Sequence, residues 1–359
     1  MRRDLAAIAL FVAAVAATVA SSSSGVLLTF VTMTLYAALL AQAWNVLGGY
    51  GGQFSFGHAL FFGTGAYVQS IAQVTLGLGA WVALPLAVAA AAAVGAFVGA
   101  LSFRYGLKGS YFALVTLAFA EVFRILALSV DVTGGGVGMM LPLKESVAAM
   151  QFPSRRGYAL LALGFVVVAL VATAWLRHSR FGARLQAVRD NEDAARAVGV
   201  DPFATKLGAI VLSGGLMGAG GAFYVQMFQY IDPGIAYGPA TSVEALVAAI
   251  VGGMGTLWGP VLGALALHAL AEFTRGLFGQ LPGLNMVVYG VVLVTIVTFL
   301  PRGLSGAGRT LREAFGSRPA DASAGTGLGP APRPVPDNEP ATGAAAPTAA
   351  AVASERRDG

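Results

Sequence analysis

The stretch VLLTFVTMTLYAALLAQAWNVL, Val26–Leu47, runs for 22 residues without a charged side chain. An α-helix rises about 1.5 Å per residue, so about 20 apolar residues cross the roughly 30 Å hydrocarbon core of a bilayer. Val26–Leu47 is therefore read as a membrane-spanning helix. Comparable runs follow at Trp81–Phe103, Tyr158–Leu176 and, with its flanks, Met286–Leu300. Of the 359 residues 57% are hydrophobic and 11% charged, against about a quarter charged in ordinary soluble domains. Few soluble folds could hide so many apolar runs. The expected fold class is an all-α polytopic transmembrane helical bundle of about ten spans, near 1–20, 26–47, 56–77, 81–103, 110–130, 158–176, 207–229, 241–256, 258–275 and 284–300.

The segment 1–25 has two readings. Arg2 and Arg3 precede an apolar run that ends in Ser21–Ser24, which fits an uncleaved first helix and also a signal peptide. Either places the start of the second span outside. With the N-terminus in the cytoplasm, the connections at 48–55, 104–109, 177–206 and 253–257 and the C-terminal tail are all cytoplasmic. They hold Arg104, Lys108, six cations between Arg177 and Lys206, and Arg302, Arg309 and Arg312, as the positive-inside rule requires. Lys144, Arg155 and Arg156 fall outside, against the trend. The transmembrane domain is expected over 26–304. The Ala-, Pro-, Gly- and Ser-rich segment 305–359 has too few large apolar residues to offset chain entropy, and is expected to be a disordered cytoplasmic tail.

The inventory of reactive residues excludes several classes. There is no cysteine, hence no disulfide, thiolate metal site, Fe–S cluster or Cys nucleophile. His58, His178 and His268 lack a metal-ligand spacing, so no metal site is expected. The net charge of +5 comes from cations scattered at span ends, which orient a chain among lipids and form no stripe for nucleic acid. None of the lysines Lys108, Lys144 and Lys206 follows a glycine, so a phosphate-binding Gly-Lys-[Ser/Thr] loop is missing. The chain is read as no enzyme. Any ATP and Mg must be bound by a partner.

The longest polar stretch between spans is His178–Lys206. Within it residues 190–199 read as a short helix, with Asp190 as its cap, Asn191, Glu192 and Asp193 in the first turn, and Gly199 at its left-handed end. Glu192 and Arg196 are four apart and can pair, leaving Ala194, Ala195 and Val198 as a small, smooth face. Two readings stand: a solvated connector, or a contact with a cytoplasmic motor.

The run Arg177-His178-Ser179-Arg180-Phe181-Gly182-Ala183-Arg184 through Arg189-Asp190-Asn191-Glu192-Asp193-Ala194-Ala195 resembles the cytoplasmic loop of LivM-type branched-chain amino acid ABC permeases, of the LivH/LivM family. Gly52-Gln53-Phe54-Ser55-Phe56-Gly57-His58, Lys108–Glu121, Thr133–Met139, Ser242-Val243-Glu244, Gly252-Gly253-Met254-Gly255, Trp258-Gly259-Pro260 and Pro301-Arg302-Gly303-Leu304 are similar to further family motifs, in order. The resemblance implies an ABC importer permease, with a BtuC-like type II architecture as one form. It implies a coupling helix around Arg184, Arg189–Arg196 and Gly199 that docks on the ATPase. The implied partners are a LivH-type second permease, two cytoplasmic ATPase subunits and an external, periplasmic amino-acid-binding protein in the bacterial inner membrane. The implied cargo is leucine, isoleucine and valine, with urea, amides or other amino acids as the alternative.

For the glycine segments 48–57 and 252–259 two readings stay open. Close backbone packing is one, and a hinge or lining of the translocation path, involving Gly52, Gln53, Ser55, His58, Gly252, Gly253 and Gly255, is the other. Glu121 and Arg124, three apart, form either a structural pair or a substrate contact. Glu244 has no basic neighbour in sequence and fits either a structural carboxylate or a group that meets an ammonium. Two rivals come from other classes. A stand-alone secondary carrier needs buried ionisable relays, and an intramembrane hydrolase needs Ser213 beside His268.

Overall fold

A computed structural model describes residues 1–278 and, beyond them, Leu284, Val287, Val288, Gly290, Val291, Val294 and 303–305. The chain begins with α1 (Arg2–Ser21), α2 (Gly25–Asn45), α3 (His58–Val74), α4 (Ala80–Arg104) and α5 (Gly109–Ser129). After a long connection come α6 (Arg155–His178), α7 (Arg180–Asp190) and α8 (Glu192–Ala197). The last group is α9 (Pro202–Phe228), α10 (Pro233–Tyr237), α11 (Pro239–Gly252) and α12 (Gly259–Phe278). A two-residue antiparallel pair, β1 (Met139–Met140) with β2 (Tyr230–Ile231), pins the connection after α5 to the end of α9.

Seven of the described helices are long and apolar enough to cross a membrane, with Pro233–Gly252 taken as one. The expected count of about ten is not reached among the described residues, and the span at 284–300 lies largely outside them. α3 falls short of the expected 56–77 at both ends: Gly57 is the N-cap, Thr75 is the C-cap, and the helix is 17 residues long. Near 241–256 the helix is α11, only 14 residues: Pro239 opens it before the expected start, and it ends at Gly252, where Gly253 takes φ 111. The span expected from 207 starts earlier, since Asp201 accepts from Phe203 N and Ala204 N and Pro202 sits in the first turn. The break expected at 252–255 is present, with Gly253 at φ 111 and Gly255 at φ 73.

α9 is the central element. Its small residues let α3 and α4 approach to backbone contact: a Cβ on Gly65 would stand 2.5 Å from Gly218 Cα, and one on Gly95 3.0 Å from the Ile210 carbonyl. α2 packs on α6, α9, α11 and α12, and its residues 34 to 45 are buried throughout. α1 lies along α6, antiparallel to it. Asp4 meets His178 at 2.7 Å and Arg177 at 3.6 Å, while at the other end Arg156 donates to Ser22 O at 2.7 Å. The bundle thus has a loop end, carrying α7 and α8, and a far end, carrying the β1–β2 pair.

Candidate functional site

The polar loop folds as two helices with separate caps. Ser179 accepts from Gly182 N at 3.0 Å and starts α7. Asn191 accepts from both Asp193 N and Ala194 N at 3.0 Å and starts α8. Asp190 is therefore not the cap. It closes α7 and pairs with Arg189 at 3.0 Å, because the break in φ/ψ falls one residue later, at Asn191. Gly199 takes φ +84, as expected of a helix end. The expected smooth face is also different in part. Ala195 is turned inward, and the exposed residues are Asp193, Ala194, Arg196, Ala197 and Val198.

Glu192 is held inside. Its carboxylate accepts from Lys206 Nζ at 2.7 Å and lies 3.0 Å from Lys108 Nζ, and the expected Arg196 pairing is the longest of the three at 3.6 Å. Lys206 is 4% exposed and Glu192 17%, and the Lys206 ammonium also stands 5.6 Å from the Phe103 ring centroid. One carboxylate thus ties α8 to α9 and to the residue that caps α5. Burial pushes the Glu192 carboxyl up, and the hydrogen bonds and charges of Lys206 and Lys108 overrule it, so the group is held below the usual carboxylate range.

Arg189 seats the loop on the two glycine segments. Its Nη1 donates to Gly49 O at 3.1 Å, where α2 ends in the wide π turn Val46–Tyr50. A Cβ on Gly52 would run into the Arg189 stem, and one on Gly255 would stand 3.2 Å from Gly49 O and 3.5 Å from Arg189 Nη1. Two buried amides of α2 hold the second segment: Asn45 accepts from Gly255 N at 2.7 Å and donates to Thr256 O at 3.0 Å, and Gln42 donates to Leu257 O at 2.9 Å. Gly303 packs on the same turn, where a Cβ would stand 2.5 Å from Gly253 N. Motifs dispersed along the chain converge under α7.

Gln53 borders this junction, and the other candidates lie apart from it. Gln53 donates to Gly51 O at 3.3 Å. Ser55 and His58 are sealed in a polar cluster: His58 meets Ser55 Oγ at 3.2 Å and Ser213 Oγ at 2.9 Å, and Ser213 donates to Ala43 O at 2.7 Å. Sequence reading missed this cluster, since His58 and Ser213 lie 155 residues apart. It opposes the hydrolase reading, because Ser213 is engaged by His58 and the Ala43 carbonyl, while His268 Nδ1 sits 3.3 Å from Ala264 O. Glu121 and Arg124 pair at 2.9 Å on an outward face of α5. Glu244 projects into a groove between α2, α11 and α12, of about 620 Å³. Among the described residues it has no hydrogen bond or ion pair.

A family profile described as the branched-chain amino acid transport system permease component matches residues 26–297. The chain belongs to that permease family. It is 30% identical over 297 residues to the high-affinity branched-chain amino acid transport system permease protein LivM of Salmonella typhimurium, covering 76% of this chain and 68% of the relative. The LivM of Escherichia coli matches with the same identity and coverage. The nucleoside ABC transporter permease protein NupC of Lactococcus lactis is 30% identical over 159 residues, 40% of this chain and 47% of the relative. No solved structure gives a significant match. The permease is accordingly a multi-pass helical membrane subunit of a transport system.

Proposed function

We propose that the permease moves leucine, isoleucine and valine inward across the bacterial inner membrane, powered by two separate cytoplasmic ATPase subunits and supplied by an external binding protein. A LivH-type permease is its membrane partner. The cargo reading rests on the family profile over 26–297 and on the LivM relatives. The loop end then faces the cytoplasm with both termini, and the far end faces outward.

The observation that carries the coupling reading is the two-sidedness of the loop. Arg189 and Glu192 fasten its inner side to α2, α5 and α9, while Asp193, Ala194, Ala197 and Val198 stay exposed. A push on that outer side reaches three spans through charged contacts, without relying on a flexible connector. ATP binding would close the motor pair, α7 and α8 would follow, and the spans would change access. Glycines 49, 52, 253 and 255 serve this reading as seats that bring the loop close to backbone.

The test targets the exposed side and spares the clamp. Asp193→Lys with Val198→Asp should reduce co-purification of the ATPase subunits at least about tenfold, the effect of losing roughly 1.4 kcal/mol of interface energy. Membrane insertion of the variant should match the parent. Unchanged co-purification and unchanged transport would remove the coupling role from α8.

A further inference from the structure

The groove that holds Glu244 continues into a second one. The two share His268 and Ala271, and the second, of about 460 Å³, is bordered by Arg155, Glu272 and Arg275 at the far end of the bundle. Its two ends differ in charge balance. At the mouth, Glu272 and Arg275 neutralise one another at 2.9 Å. Arg155 donates only to Gly25 O at 2.9 Å and Thr29 Oγ1 at 3.0 Å, with no carboxylate partner among the described residues. Further along, Glu244 lines the groove with Ala37, Val243, Val247 and Leu267 and has no ion pair among the described residues. Glu244 is exposed to the groove, and an ionisable residue within a membrane bundle that faces a cavity marks a route or a binding site.

We infer that this groove is a binding route for a small solute carrying a primary ammonium and a short aliphatic side chain, with Glu244 as the ammonium's partner. The inference rests on the amino-acid cargo proposed above and adds where that cargo is held. The Arg155 guanidinium at the mouth offers the counter-charge for the solute's carboxylate. The apolar wall between the two suits a branched aliphatic chain. His268 lines the same groove, and its Nδ1 lies 3.3 Å from Ala264 O, so in the tautomer that donates to this carbonyl Nε2 can accept a second ammonium proton.

This subunit contributes no cysteine, so with partner subunits made cysteine-free a single introduced thiol reports alone. Val247 lines the groove one turn beyond Glu244, so Val247→Cys is placed in the purified assembled importer. It is then reacted with a cationic trimethylammonium-ethyl and an anionic sulfonatoethyl methanethiosulfonate, each rate normalised to a free thiol. The cationic reagent should react at least about fivefold faster, as one unscreened carboxylate a turn away dictates. Adding Glu244→Gln should bring the ratio near unity, and L-leucine should slow both reactions. An unreactive Val247→Cys, or a ratio that Glu244→Gln leaves unchanged, overturns the inference. A ratio that behaves as expected while leucine has no effect supports the cation-binding groove and contradicts the cargo reading instead.

Discussion

Glu192→Lys should abolish ATP-driven uptake and destabilise the purified subunit by at least about 4 kcal/mol, whereas Glu192→Gln should cost about 2 kcal/mol. Reversal sets a third ammonium beside Lys206 and Lys108, and Lys206 is 4% exposed with no other carboxylate within 4 Å among the described residues. The neutral variant removes the pair without adding repulsion, and the partial exposure of Glu192 and Lys108 keeps its cost below that of a fully buried pair. Combining Glu192→Lys with Lys206→Glu should restore more than half of the lost thermal stability. Since the Glu192 carboxyl is held below its usual range, the clamp contributes fully at neutral pH and is lost only as pH falls through that lowered value. Thermal unfolding in detergent checks the series. Equal midpoints for the parent and Glu192→Lys would show that the clamp does not hold the loop.

Gly65→Val should prevent stable accumulation in the membrane, with a cost of at least about 3 kcal/mol. The added carbons would enter α9 at Gly218, where backbone faces backbone and neither helix has a side chain that can swing away. Gly164→Val is the matched control, because Gly164 lies on α6 with nothing within 4 Å of a built Cβ. It should accumulate normally. Comparable membrane levels for both variants would contradict the close packing of α3 on α9.

The solvent was legible at once, since Val26–Leu47 and its counterparts announce spans by length alone, and each long expected span within the described residues falls on a helix. Helix ends were less so. Asp190 and Asn191 are both good caps, and the choice between them is set by where α7 closes, at Asn191 N to Ala187 O. The glycine clusters were recognisable, but not what they meet: Arg189 reaches Gly49 across 140 residues. Local spacing paired Glu192 with Arg196, and the fold supplied two better lysines from elsewhere in the chain. Glu244 had no basic neighbour in sequence and acquires none among the described residues in space.

The central claim is a permease whose energy comes from another subunit. Uptake of radiolabelled L-leucine into proteoliposomes tests it most directly, with this chain reconstituted alone and together with its permease, ATPase and binding-protein partners. The account predicts accumulation only in the full assembly with ATP, and none in the chain alone under an imposed proton or sodium gradient. Gradient-driven leucine uptake by the chain alone would contradict it and return the molecule to the class of secondary carriers.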